Sequence, residues 1–263
     1  MENFIARNTR MYFASQKYKM LAFFTYRIQA VVWLAVFVLS GFYQVIMVTI
    51  IYSVSSGISG WTYYQILALG GLANIFISLA FFTISPQVLG RSMRNGQLDQ
   101  KLTKPYNPVL IALSTTGEVS FLGSAITGAA VFAYAVTEAH IPLLSLAPLI
   151  AIFALGTADV VLFILMLTLI SYVLFKGASF VMWLVDIGKN ASSYPLTIYG
   201  LVGLLLLTIG MPVGLATFLP AETLFGRLSP YQFGAAILFE AIALYAYYKA
   251  SAWLLTKYSS GGG

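Results

Sequence analysis

Long apolar runs alternate with short polar interruptions along almost the whole chain. A spanning helix needs roughly 20 mainly apolar residues, and six stretches reach that length: 28–52, 65–84, 109–136, 146–173, 196–219 and 231–255. They predict an all-α integral membrane protein with six transmembrane helices in a single domain, 1–258. Two stretches fit that plan badly. Residues 177–187, "GASFVMWLVDI", are apolar but too short to cross, and predict an interfacial or cytoplasmic-side helix. Residues 211–227, "MPVGLATFLPAETLFGR", contain Pro212, Gly214 and Pro220. Prolines free backbone groups that protein or water must satisfy, so a bent or re-entrant outer element is expected before the last span.

The first 27 residues are mixed rather than apolar. On a helical wheel Arg7, Arg10 and Lys17 share one arc, and Phe4, Ile5, Met11 and Tyr12 lie largely opposite. That pattern predicts an interfacial helix whose basic face meets anionic lipid. Lys19 breaks it, and an ordinary basic flank that fixes topology is the other reading. The segment lacks the short apolar core and small-residue cleavage site of a signal peptide. Residues 259–263 are a flexible Ser/Gly tail.

Composition agrees with the pattern: 60% of residues are hydrophobic and 8% charged, against about 25% charged in soluble domains. The net charge of +6 is a matter of distribution. From the N-terminus through each successive loop to the C-terminal end, Lys and Arg number 5, 0, 4, 0, 2, 1 and 2. Such alternation predicts an even number of spans with both termini cytoplasmic. It also argues against nucleic-acid binding, which needs basic residues gathered beside stacking aromatics. Tyr52, Trp61, Tyr63 and Tyr64 fall where an outer aromatic belt is expected.

Little catalytic chemistry is available. There is no cysteine, and the single histidine, His140, rules out a multi-histidine metal site within one chain. The only Gly-Lys pair, Gly188-Lys189, is followed by Asn190 and lacks the upstream glycine of a phosphate-cradling loop. No cofactor is expected in this chain. Three acids fall inside expected spans: Glu118 in the inner half of the third, Asp159 near the centre of the fourth, Glu240 in the middle of the sixth. Each costs about 2.5–3.5 kcal/mol at a helix centre unless it meets water, a partner or a proton. They are the translocation-pathway candidates, and their bland reading is a neutral acid bonded to a neighbouring helix. No basic residue is expected at a matching depth. Asp159 and Glu240 also underlie an alternative, a proton-coupled secondary transporter, although the internal repeat common in such carriers is missing. In the third span Thr116, Ser120, Ser124 and Gly128 recur at steps of four, a small-residue stripe that lets another helix approach closely.

The most polar interruption is 85–108, "SPQVLGRSMRNGQLDQKLTKPYNP". Ser85-Pro86 is a helix start and Asn95-Gly96 a break. A helix, a turn and a short amphipathic piece follow, ended by Pro105 and Pro108. Arg91, Arg94 and Lys101 are expected to face the cytoplasm, and Leu89, Met93, Leu98 and Leu102 the bilayer or the protein. The segment reads as a docking platform or as a loop that merely fixes topology.

This stretch resembles the inner-loop signature of bacterial ABC type-2 permeases, R-x-G-x-L-(D/x)-x-x-L-x-(K/R)-P after the second span. Arg94, Gly96, Leu98, Asp99, Leu102, Lys104 and Pro105 match it. "YPLTIYG" at 194–200 and "PVGLATFLPAETLFG" at 212–226 follow in the family's order. The nearest group is the prokaryotic one linked to drug and antibiotic export. The resemblance implies a half-transporter in the prokaryotic cell membrane. Two permease chains, identical or paralogous, would pair among membrane lipids with two copies of a separate cytoplasmic ABC ATPase, which holds ATP and magnesium. Segment 85–108 would be the ATPase-coupling element, including Arg91 and Lys101, with Leu98 and Leu102 as its outward apolar contact, and segment 1–27 the interfacial elbow. Pro212, Pro220 and Glu222 would belong to an outer gate. The cargo implied is hydrophobic or amphipathic: drug, antibiotic, lipid or peptide.

Overall fold

The structure, a computed structural model, describes residues 3–55, 57–58, 60–175 and 179–259. Helices account for nearly all of them. In chain order they are α1 (Phe4–Thr25), α2 (Arg27–Val54), α3 (Tyr63–Thr83), α4 (Pro86–Arg94), α5 (Gln97–Leu102), α6 (Pro108–Thr115), α7 (Leu122–Glu138), α8 (Leu146–Phe175), α9 (Ser179–Ser192), α10 (Gly200–Leu205), α11 (Val213–Ala216), α12 (Phe218–Leu224) and α13 (Pro230–Lys257). Their starts are written in the sequence. Ser85 and Asn107 each cap a helix whose first residue is proline. Thr62 with Gln65, and Ser229 with Gln232, form reciprocal capping boxes.

Among the described residues, four stretches are long and apolar enough to cross a membrane: Arg27–Val54, Tyr63–Thr83, Val119–Glu138 and Leu143–Phe175. A fifth exists if Ser179–Ser192 and Leu196–Gly210, bent by 114°, count as one span. Helix α13 has 28 residues, about 42 Å at 1.5 Å per residue, but Glu240, Lys249 and Lys257 interrupt its apolar character.

The expected third span is broken. α6 ends at Thr115, and α7 starts only at Leu122 after a single 3₁₀ turn. The break is stapled to the end of α3. Ser85 N–H donates to the Thr116 carbonyl at 3.0 Å, and Glu118 N–H donates to the Phe81 carbonyl at 2.8 Å. Lys19 Nζ donates to the Phe82 carbonyl at 3.0 Å. Non-helical backbone at membrane depth survives only when protein or a wet cavity satisfies it, and these bonds do that. Gly117 makes the approach possible, because a Cβ there would lie 1.8 Å from the Phe82 oxygen. The expected small-residue stripe is cut accordingly: Thr116 and Ser120 precede α7. Ser124 bonds the Phe37 carbonyl at 3.2 Å, and Gly128 meets Gly71 of α3 backbone to backbone.

The expected fifth span is not one helix either. The stretch 196–219 contains a 3₁₀ turn, α10, a π turn at Leu206–Gly210 and α11, and runs into α12. The short apolar helix before it, α9, ends against α2. Gln44, well inside α2, donates from Nε2 to the Ser193 carbonyl at 2.9 Å. The C-terminal end of α9, with Lys189, therefore packs beside the middle of α2. Lys176 and Gly177, counted with this loop in the sequence reading, lie outside the described residues, as do 260–263 of the tail.

Two apolar clusters hold the bundle. One surrounds Phe76, Phe81, Leu89, Met93, Leu98 and Tyr172, next to α4 and α5. The other surrounds Val48, Trp61, Ile66, Ala135, Leu149 and Leu224, at the far end. α8 runs through the middle, packing on α13, α11 and α12.

Candidate functional site

Helices α4 and α5 form a hairpin just past the end of α3. Gly96 turns it, with φ of 66° in the left-handed region. The inner side is fixed: Leu89, Met93 and Leu98 are each 0% exposed. Leu98 therefore anchors the hairpin to the bundle and does not offer the outward apolar contact expected of it. Leu102 is half-buried against the same cluster. The outer edge is polar. Arg91, Arg94, Asn95, Gln97 and Gln100 are exposed, and Thr103, Lys104 and Pro105 continue the same surface. Lys101 turns away from it towards α1, bordering a small cavity with Met11, Ser15 and Tyr18. Burial, with Lys104 nearby, holds its ammonium below the usual lysine value.

Three clamps tie the hairpin to the rest of the chain. Tyr258, just past α13, donates its hydroxyl to the Met93 carbonyl at 2.9 Å. Burial and the neighbouring Asp99 carboxylate raise that phenol above its ordinary value. Arg7 donates to the Pro105 carbonyl at 2.7 Å. Asn107 is the third clamp. Its N–H donates to Asn8 Oδ1 at 2.7 Å, and its Nδ2 donates to the Tyr248 hydroxyl at 2.7 Å. Its own Oδ1 caps α6, accepting from Val109 N and Leu110 N. Elbow helix, hairpin and last helix thus share one hydrogen-bonded node. The sequence reading missed Asn8, Asn107 and Tyr248, although Asn107-Pro108 carried a helix-start signal.

The three acids part company. Glu118 sits in the break before α7 and borders a cavity of about 480 Å³ with Lys19, Gln29 and Trp33. Asp159 and Glu240, on the packed pair α8 and α13, are 0% exposed. None of their carboxyl oxygens has a hydrogen-bond partner. Neither borders a cavity of about 630 Å³ that lies between α3, α6, α8 and α13, with Leu79, Leu113, Val161 and Leu244 in its walls.

At the far end, Pro212 precedes α11 and Pro220 is buried inside α12. Glu222 is paired with Arg227 at 3.1 Å. Arg227 also donates to the Gly60 carbonyl at 2.7 Å and to Gln65 Oε1 at 2.8 Å, and stacks 4.1 Å from the Trp61 ring. This latch joins the segment after α12 to the loop before α3. Arg227 entered the sequence reading only as a loop charge.

The described residues form a multi-pass helical bundle with a short polar hairpin anchored at one end. The profile described as "ABC-2 family transporter protein" matches residues 37–262, and the chain belongs to that family. Membership makes the chain a transport component associated with an ABC ATPase, with no ATPase site of its own. No curated protein and no solved structure matches the chain.

Proposed function

We propose that this chain is the permease subunit of an ATP-driven exporter. Two permease chains, identical or paralogous, enclose the pathway, and two cytoplasmic ATPases dock beneath them. The chain crosses a prokaryotic cell membrane six times with both termini cytoplasmic. α9 to α12 form a broken fifth crossing and α13 the sixth. Its cargo is hydrophobic or amphipathic, and ATP and magnesium reside in the partner.

The observation that carries this reading is the α4–α5 hairpin. Its apolar side is buried at Leu89, Met93 and Leu98, so it moves with the bundle. Its exposed edge presents Arg91, Arg94 and Lys104. A rigid, clamped element is what transmission of force from a docked ATPase requires. Pro105, Asp99 and Gly96 position that edge, and Leu98, Leu102 and Lys101 seat it from behind. Closure of the ATPase pair shifts the permease only in so far as ATP binding differs between the two states. The Glu222–Arg227 latch, with Pro212 and Pro220, closes the opposite end of the path.

The test is purification of the full chain from native membranes in mild detergent, with mass spectrometry of what accompanies it. A stoichiometric ATPase is expected. Replacing Arg91 and Arg94 together by Glu should strip it while the chain stays in the membrane. Repeated recovery without an ATPase, or recruitment indifferent to the charge reversal, overturns the reading.

A further inference from the structure

Polar side chains gather where the hydrocarbon should be driest. Ser40, Tyr43 and Gln44 lie around the middle of the 28 residues of α2, and Asn74 lies halfway along α3. With Lys189 and Asn190 at the end of α9, they line a recess of about 360 Å³. Polar and ionisable groups at such depth normally face a bundle interior or a water-filled cavity. Here Ser40, Tyr43 and Asn190 are exposed on the surface of the single chain. Lipid is a poor neighbour for them, so this flank is suited to a wet lumen between two permease chains.

Three of these six side chains are already engaged with the chain's own backbone. The Ser40 hydroxyl donates to the Phe37 carbonyl at 2.9 Å, and Gln44 Nε2 to the Ser193 carbonyl at 2.9 Å. Asn74 Nδ2 reaches the Gly41 carbonyl at 3.4 Å. The ammonium of Lys189 is different. Among the described residues it has neither a hydrogen-bond partner nor a carboxylate within ion-pair distance. Asp186, one turn earlier on the same helix, is exposed and forms no ion pair with it. The Lys189 stem borders an apolar pocket with Phe76, Ile77 and Met211, and no acid lines the polar recess. An uncompensated cation in a medium between water and protein attracts an anion more strongly than it would in bulk water.

We propose that this recess is an anion subsite on the translocation path. It takes the anionic head, carboxylate or phosphate, of an amphipathic cargo. Lys189 supplies the countercharge, and the Tyr43 hydroxyl and Asn190 amide supply further hydrogen bonds. The assignment to a path rests on the exporter reading, whereas the anion selectivity of the recess does not.

The chain contains no cysteine, so one introduced thiol reports alone. Ser40→Cys is made in the full chain and studied in native membranes. It is treated with two methanethiosulfonates, one carrying a sulfonate and one a trimethylammonium group. The anionic reagent should react about fivefold faster than its ratio on a free thiol predicts, as expected for one charge in a medium between water and protein. Phe42→Cys, on the far arc of the same helix, is the lipid-facing control and should stay unlabelled. The bias should vanish in Lys189→Gln and survive in Lys189→Arg. Decanoate or decyl phosphate should protect Ser40→Cys, and decanol should not. Protection by only one of the two anions identifies the head group. Silence towards both reagents, a bias unchanged by Lys189→Gln, or equal protection by decanol overturns the proposal. If Lys189→Gln does not accumulate, the decanoate and decanol comparison on the Lys189 background decides. No step needs ATP or an ATPase, so this outcome is separate from that of the purification test.

Discussion

Asn107 offers the sharpest quantitative test, because one side chain performs two separable tasks. It caps α6 through Oδ1, at 2.9 Å from Val109 N and 3.2 Å from Leu110 N. It also ties α6 to the last helix through Nδ2, at 2.7 Å from the Tyr248 hydroxyl. Losing a helix cap costs about 0.5–2 kcal/mol, and losing a net hydrogen bond costs about 0.5–1.5 kcal/mol. Asn107→Ala should therefore destabilise the chain by about 1–3.5 kcal/mol. Asn107→Ser keeps an oxygen for the cap but is too short for Tyr248, so it should lose only the second part, as Tyr248→Phe should. The double variant Asn107→Ala with Tyr248→Phe should be no worse than Asn107→Ala alone, since both remove the same bond. Thermal unfolding followed by the intrinsic fluorescence of the four tryptophans measures all four variants in one detergent. If Asn107→Ala melts with the unmodified chain, or if the two substitutions simply add, the node is not what holds the hairpin to α13.

Two other predictions concern the break in the third span. Gly117→Ala puts a Cβ 1.8 Å from the Phe82 oxygen. The backbone must give way and loosen the 2.8 Å bond from Glu118 N–H to Phe81. Overpacking at about 1–3 kcal/mol and a weakened hydrogen bond at about 1 kcal/mol should lower the melting temperature clearly. Gly210→Ala, whose nearest neighbour is 3.7 Å away, should not, and equal melting of the two sinks the argument. Lys19 is held down to about 8 by burial. Its folded value lies below its unfolded one, so the unfolded chain binds more protons between those two values. Stability should then rise as pH climbs from about 8 towards 10.5 and be flat below about 8 on this account. Lys19→Met should erase that part of the slope, and identical pH profiles for the two chains would count against the burial of Lys19.

What the chain determines by itself is what depends on local pattern. Hydrophobic runs longer than a bilayer is thick dictated α2, α3 and α8. Ser85-Pro86 and Asn95-Gly96 dictated the hairpin, because proline and glycine act on their own backbone. The family signature around Arg94 to Pro105 was legible for the same reason. Tertiary packing decided the rest. Apolarity does not distinguish a continuous helix from one broken where a neighbour supplies hydrogen bonds. The split between α6 and α7 therefore emerged only with Phe81, Phe82 and Lys19 in place. The bend after α9 likewise needed Gln44 to donate to the Ser193 carbonyl. Sequence spacing left Leu98 facing either the bilayer or the protein, and packing of α4 on α8 and α9 and of α5 on α6 turned it into an anchor. Lys189 was counted with a loop because charge patterning is blind to depth. Its environment is set by α2 and α3, more than a hundred residues earlier in the chain, and only the folded bundle brings them together.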